Sequence, residues 1–265
     1  MPPSAQFALV YDVGGSHISA AVCEQGSFAL HGLTRAPLPA SVTDSSPGPG
    51  HFSSASFGRL IHTLGETAAS SAGLPFASIA GACLAVPGPF DYENGISHMR
   101  HKLQSLYNVD LKSSLSARFH WRSDQLRFVN DAAAFTLGEA GAGAARGFSR
   151  ILGLTLGTGI GAAFALRAPH GPVIADSRPG NHEGVPVGGE LWNLPYNGGT
   201  VEDFVSTRFL RHYYQALTGI EEEVSAIADT ARGDHPCPDP PEAGSGARVR
   251  PWRAKLPCSQ TAAEI

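Results

Sequence analysis

Apolar and polar positions change period along this chain, and each change marks an element. Phe7–Tyr11 (FALVY) is apolar and ends in Asp12-Val13-Gly14-Gly15-Ser16, and the strand pattern resumes at His17–Cys23 (HISAAVC). Gln25-Gly26 reads as a turn and residues 28–34 (FALHGLT) as a further run, so three strands are predicted over residues 7–34. Phe57, Leu60, Ile61, Leu64 and Ala68 recur at helical spacing, which predicts an amphipathic helix ending near Gly73. Ile79–Val86 (IAGACLAV) has strand length, and Leu111–Phe119 reads as a short helix. Arg127–Val129 is a strand running into Asn130-Asp131, after which an alanine-rich helix is predicted to about Ala145. Arg150–Leu156 and residues 162–166 (AAFAL) are strands on either side of Gly157-Thr158-Gly159-Ile160-Gly161. Thr200 fits a helix N-cap ahead of the apolar face Val201, Phe204, Val205 and Leu210, and Glu221-Glu222-Glu223 opens a last helix ending near Gly233.

Between these elements, residues 36–56 and 168–188 read as loops, and Pro87-Gly88-Pro89-Phe90-Asp91 as a rigid loop continuing to Gly95-Ile96. From Asp234 the character changes. Six prolines fall between Pro236 and Pro257 with no helical period, which predicts a disordered tail. A chain that is 42% hydrophobic with 31 glycines is globular and rich in tight turns. Its net charge of −4 gives no nucleic-acid surface, and no apolar run approaches the roughly 20 residues of a membrane span. A cytoplasmic protein is expected. Cys23, Cys83, Cys237 and Cys258 form no Cys-x-x-Cys pair, so no zinc site has a local scaffold. Cys23 and Cys83 are expected to be buried free thiols.

The candidate chemistry sits at strand ends. A strand running into Asn130-Asp131 puts a carboxylate at the carboxyl edge of a sheet, where α/β proteins hold ligands, although Asn and Asp also serve as plain helix caps. Gly14-Gly15 lets backbone N–H groups face an anion, with Asp12 placed to hold a metal ion or water beside it; an ordinary hairpin turn would read the same way. Gly157–Gly161 suggests a dinucleotide fingerprint, with Asp176 about 20 residues on, but the spacing is G-x-G-x-G and a strand follows instead of a helix. A strand–turn–strand phosphate cradle, with the Thr158 hydroxyl assisting, fits better. His170, His182 and Glu183 lie in a loop and receive no role. Glu202 lies in the first turn of its predicted helix, where the dipole favours a carboxylate.

Together DVGGS, AVPGPFD with Gly95-Ile96, VNDAAAFTLGE and LTLGTGIG resemble, in order and spacing, the motifs of the ROK (repressor, ORF, kinase) sugar kinases. The resemblance runs from Asp12 to about Asp234. It implies the α/β two-lobed actin-like ATPase (ribonuclease H-like) fold: an N-terminal lobe over residues 1–125, a C-terminal lobe over 126–234, and an aberrant tail over 235–265. It further implies ATP-dependent phosphorylation of a glucose-like hexose, with Asp131 as general base. Asn130, Glu190 and Glu202 would bind the sugar. Asp12, Gly14, Gly15, Ser16, Gly157, Thr158 and Gly159 would hold the phosphates, with Mg²⁺ at Asp12 directly or through water. A homodimer is the family's common state, and neither nucleic acid nor membrane is implied as a partner. Two departures accompany the resemblance. Glu190-Leu191-Trp192-Asn193 stands where many members have Glu-x-Gly-His and a zinc-binding cysteine loop, so no zinc site is expected and Asn193 or Trp192 would replace the histidine. The adenosine-binding segment that follows in the family is not recognisable after Asp234, so the C-terminal lobe is expected to be incomplete. A truncation or a change of reading frame would account for that ending. The alternatives are a catalytically impaired or purely sugar-binding protein of the same fold, a repressor, for which no helix-turn-helix precedes Phe7, and an NAD-binding oxidoreductase resting on GTGIG.

Overall fold

Strand β1 (Phe7–Val13) is the centre of the first sheet, and its alternation explains the layer built on it. Leu9, Tyr11 and Val13 point into the core, whereas Asp12 is exposed. The computed structural model describes residues 6–39, 52–100, 103–157, 159–175 and 191–232. These divide between two compact units, Met1–Gly153 with Ala163–Ala175, and Leu154–Ala162 with Asp176–Ile265.

In the first unit β1 pairs antiparallel with β2 (His17–Glu24), and β2 pairs antiparallel with β3 (Leu30–Pro37). On its other side β1 pairs parallel with β4 (Ile79–Val86), which pairs parallel with β7 (Leu126–Asn130). The order is therefore β3-β2-β1-β4-β7. Helix α1 (Ser54–Ser71) starts where Ser53 Oγ accepts from Ser56 N–H at 3.2 Å, and it buries Phe57, Ile61, Leu64 and Ala68 in the core. The Tyr11 hydroxyl donates to the Ile61 carbonyl at 3.1 Å, which satisfies a phenol whose burial raises its pKa well above the usual value. Between β4 and β7 lie the short hairpin β5 (Phe90–Asp91) and β6 (Ile96–Ser97), and helix α2 (Leu111–Phe119), capped by Asp110. Helix α3 (Asp131–Gly141) follows β7. Strand β7 belongs to the sheet of β1, and both β7 and α3 lie in the first unit.

Strands β8 (Arg150–Leu156), β9 (Ile160–Ala168) and β10 (Gly171–Ile174) form a three-stranded sheet in the order β10-β9-β8. The second unit adds the two-residue pair β11 (Pro195–Tyr196) and β12 (Gly199–Thr200), then α4 (Glu202–Val205), α5 (Thr207–Thr218) and α6 (Val224–Arg232). No residue of these three helices is buried. An aromatic row ties the unit instead, with Tyr196 edge-on to Phe204, Phe204 against Phe209, and Phe209 stacked on Tyr213 at 5.4 Å.

Several boundaries differ from the expected ones. Strand β3 begins at Leu30, because Phe28 takes a positive φ of 58° in the preceding turn. Helix α3 stops at Gly141 instead of running to Ala145; the Glu139 carboxylate accepts from Ala144 N–H at 2.7 Å and folds the chain back. The loop predicted from residue 168 contains β10, which pairs with β9. Thr200 is not an N-cap: it lies in β12, and its N–H and hydroxyl donate to Asp203 at 2.9 and 2.8 Å. The helix it was expected to open breaks at Ser206, whose Oγ accepts from Phe209 N–H at 3.3 Å to cap α5. The three glutamates precede α6, and Glu221 and Glu223 pair with Arg211 at 3.0 and 3.3 Å. Cys23 and Cys83 are free but half-buried, and desolvation raises both thiol pKa values. The predicted tail lies outside the described residues.

Candidate functional site

Three parallel strands, β1, β4 and β7, end on one edge of the first unit's sheet, so whatever follows each of them collects there. Asp12 stands in register with Ala85, and Ala85 with Val129. Asp12 is exposed, and its carboxylate has no hydrogen-bond partner among the described residues. Two strand spacings of roughly 4.8 Å separate the ends of β1 and β7, about 10 Å in all.

Strand β4 runs into Pro87-Gly88-Pro89, with a cis peptide between Gly88 and Pro89. The following turn is held by Asp91, which accepts from Asn94 Nδ2 at 2.8 Å and from the N–H groups of Asn94 and Glu93 at 3.0 and 3.2 Å. Those bonds, the Asn94 side chain first, hold its carboxyl below the usual range. Gly95 closes the turn at φ +73°, and a Cβ there would crowd Lys112 Cβ at 2.6 Å and Phe128 Cε2 at 2.9 Å. Only glycine meets both demands.

Strand β7 ends at Asn130, which caps α3: its Oδ1 accepts from Ala133 N–H at 3.1 Å. Its Nδ2 donates to the Tyr92 hydroxyl at 3.1 Å, and that hydroxyl donates to the Val86 carbonyl at 3.3 Å. One tyrosine thus joins the ends of β4 and β7 and fixes the Asn130 amide. Asp131 is the first residue of α3 and is exposed; its Oδ1 accepts from Ala132 N–H at 2.9 Å, and its other oxygen has no partner among the described residues. The capping reading therefore belongs to Asn130, and Asp131 keeps an oxygen for other work.

The turn between β1 and β2 is closed by Gly14 N–H donating to the His17 carbonyl at 3.0 Å. Ser16 Oγ lies 3.1 Å from His17 Nδ1, and the Ser16 carbonyl accepts from Leu38 N–H at 2.8 Å. The N–H groups of Gly15 and Ser16 have no partner among the described residues, so this turn offers backbone donors at the same edge as Asp12.

In the second unit the turn from Gly157 to Ile160 is arranged differently from the open cradle its glycines suggest. Gly157 N–H donates to the Gly159 carbonyl at 2.9 Å. The Gly157 carbonyl accepts from Thr207 N–H at 2.8 Å and from Thr207 Oγ1 at 2.6 Å. The Glu202 carboxylate accepts from Ile160 N–H at 3.2 Å and lies so close to Gly159 that a Cβ there would collide with it. Strand β9 follows at once, which removes the dinucleotide reading. Thr158, Asp176 and Glu190 lie outside the described residues. Sequence reasoning missed Tyr92 and Thr207. Tyr92 follows the PGPFD motif directly, so a role was open to suspicion, whereas Thr207 lies 50 residues from the carbonyl it holds and carries no local signal.

The sequence profile of the ROK family matches residues 55–171, the stretch from α1 through the β7–α3 junction to β10. Residues 55–171 are thus similar to the ROK family. A 75-residue stretch is 44% identical to a glucokinase of Thermotoga maritima, covering 28% of this chain and 23% of that enzyme. The fold matches a ROK glucokinase from Streptomyces griseus, solved with glucose and AMPPNP, at TM-score 0.59 and 18% identity, covering 86% of this chain and 65% of that one. It also matches a ROK transcriptional regulator, a homologue of the E. coli MLC protein, at TM-score 0.61 and 18% identity, covering 87% and 57% of the two chains. The chain therefore spans less than two thirds of each of these relatives and has their actin-like ATPase fold. Among the described residues, no helix is long and apolar enough to cross a membrane, and no group of three or more His, Cys, Asp or Glu side chains is disposed to hold a metal.

Proposed function

We propose that this chain is an ATP-dependent hexose kinase that phosphorylates a glucose-like sugar at its primary hydroxyl. The observation that carries the reading is Asp131, an exposed carboxylate with one oxygen unpartnered among the described residues, at the edge where β1, β4 and β7 end. In the reaction Asp131 takes the proton of the sugar hydroxyl, the hydroxyl oxygen attacks the γ-phosphorus, and the bond to the bridging oxygen breaks to release ADP. Asn130, held by Tyr92, positions the sugar, and Glu190 and Glu202 supply further contacts. The N–H donors of Gly15 and Ser16, unpartnered among the described residues, receive phosphate oxygens. The Asp12 carboxylate, exposed and without a partner among the described residues, fits a Mg²⁺ ion held directly or through water, which would offset phosphate charge during transfer.

A second reading, a sugar-binding protein without kinase activity, is favoured by the Gly157–Ile160 turn, whose Gly157 and Ile160 N–H groups are already engaged. ADP release from MgATP, measured across a panel of hexoses, separates the two. Turnover that depends on the sugar supports the kinase; glucose binding without turnover supports the second reading. Absence of both contradicts the proposal.

A further inference from the structure

The turn after β1 offers a phosphate three donors, and one of them is conditional. The N–H groups of Gly15 and Ser16 have no partner among the described residues and are fixed by the backbone. The Ser16 main chain is itself anchored, because its carbonyl accepts from Leu38 N–H at 2.8 Å. The third donor is the Ser16 hydroxyl, whose oxygen lies 3.1 Å from His17 Nδ1. Which of the two gives the proton depends on where the imidazole carries its own. The ring has a defined seat: His17 is half-buried, and a Cβ placed on Gly14 would lie 3.6 and 3.8 Å from its Cε1 and Nδ1. Its Nε2 has no hydrogen-bond partner among the described residues, so either nitrogen is free to hold the ring proton. The neighbouring strands bring no titratable side chain directly opposite. Pro37 of β3 stands in register with His17, and Gly14 N–H donates to the His17 carbonyl. Asp12 and Arg35 both lie two residues along, opposite Ser19. The Ser16 hydroxyl is therefore the group that Nδ1 addresses.

We infer that His17 is a positioning residue for phosphate: with a proton on Nδ1 it donates to Ser16 Oγ and frees the Ser16 hydroxyl to donate to a phosphate oxygen. An ionised phosphate oxygen only accepts. A hydroxyl that spends its proton on His17 Nδ1 has none to offer, and it turns lone pairs toward the anion. When Nδ1 carries the proton the direction reverses, and donation runs from His17 Nδ1–H to Ser16 Oγ–H to phosphate. Each bond in such a chain polarises and strengthens the next. In the neutral ring the change is a shift of tautomer, in which Nε2 releases its proton to water and Nδ1 takes one from water. The bound anion and the Nδ1–H form favour each other, and by linkage they do so equally. The inference rests on the part of the kinase reading that places phosphate at Gly15 and Ser16. It concerns how the third donor there is made available, and is independent of which sugar receives the phosphoryl group.

The test uses the full chain, with MgATP as the probe. Nitrogen NMR of the chain labelled in its histidine rings follows His17 as MgATP is added, and the signal lost in His17→Asn assigns it. The expected result is that Nδ1 moves to the position of a protonated ring nitrogen as the site fills. Nδ1 unprotonated at saturation, or unmoved by MgATP, overturns the inference. Titration calorimetry supplies a second readout. MgATP affinity should fall about tenfold in Ser16→Ala and in His17→Ala, as loss of one hydrogen bond to a charged group implies. The double variant should bind no more weakly than either single one, since the two side chains act as one donor. His17→Asn, whose amide N–H stands in for Nδ1–H, should bind within about twofold of the unaltered protein. Losses that multiply in the double variant overturn the inference, and a purely structural role for His17 gives that outcome with no change at Nδ1. Should His17→Ala fail to fold, the ring spectrum of the unaltered protein still decides. Absence of MgATP binding to the unaltered chain overturns the phosphate site and this inference together. A chain that binds MgATP with the Nδ1 change, yet turns over no hexose, keeps the inference and contradicts only the kinase reading.

Discussion

At the scale of single residues, the division of labour between Asn130 and Asp131 decides what the strand end can do. Asn130 spends its carbonyl oxygen on the helix and its amide on Tyr92, so the neighbouring aspartate is not needed as a cap. Tyr92→Phe removes the hydroxyl that joins β4 to β7, and the expected effect is a loss of about 1 kcal/mol of stability with roughly tenfold lower kcat/KM for the sugar. Thermal unfolding and steady-state kinetics check it. Asp110 accepts from Ser113 N–H and Oγ at 2.8 and 2.7 Å, which holds its carboxyl below the usual value. The sign follows from linkage: a lowered folded pKa gives stability that is full above the unfolded carboxylate value near ~4 and is lost as pH falls through the lower, folded one. Asp110→Ala should cost about 1 kcal/mol at neutral pH and flatten the acid limb of the stability profile. Much of this was legible in the sequence, since a strand running into Asn-Asp announces both a cap and a carboxylate. Which residue did which was not legible, because the deciding partner, Tyr92, lies 38 residues from Asn130.

At the scale of elements, strand and helix identities followed from period alone wherever the packing was strong. Strand β4 and helix α2 fall at Ile79–Val86 and Leu111–Phe119, the bounds their apolar runs predict. Errors gathered where side chains bond back to the main chain. Asp203 claims the Thr200 donors and Ser206 takes over the cap, so one predicted helix becomes α4 and α5. Ser206 is fully buried, and Ser206→Ala should destabilise α5 by about 1 kcal/mol, read as loss of helical signal on mild heating. Gly153 matters in another way. A Cβ there would collide with Thr136 Oγ1, a buried hydroxyl that donates to the Ala132 carbonyl at 2.7 Å, in the first turn of the helix that begins with Asp131. Gly153→Ala is therefore expected to shift α3 and lower kcat more than it raises the sugar KM.

At the scale of the whole molecule, the two units are built to different standards. The first surrounds its sheet with a continuous core that includes Leu9, Phe57, Ile61, Leu84 and Leu126, all fully buried. Helices α4, α5 and α6 of the second bury no residue and rely on an aromatic row and surface ion pairs, which contribute little each. Amide exchange should therefore be faster throughout α5 and α6 than in β1 and β4 by several orders of magnitude, as expected for elements of low local stability. The sequence pattern conveyed the fold class through its four glycine- and proline-marked motifs. It did not convey the strand order β3-β2-β1-β4-β7, because that order is set by pairing across the sheet and leaves no local mark.

The central claim is that Asp131 removes a proton from the primary hydroxyl of a hexose. The most direct measurement is phosphorus NMR of glucose with MgATP, run with the unaltered chain and with Asp131→Asn, alongside glucose binding by both. The account predicts a sugar phosphate carrying its ester on the primary carbon, formed about 10²- to 10⁴-fold more slowly by the variant, with glucose binding retained. Equal rates for the two proteins, or phosphate on a ring hydroxyl, would contradict it.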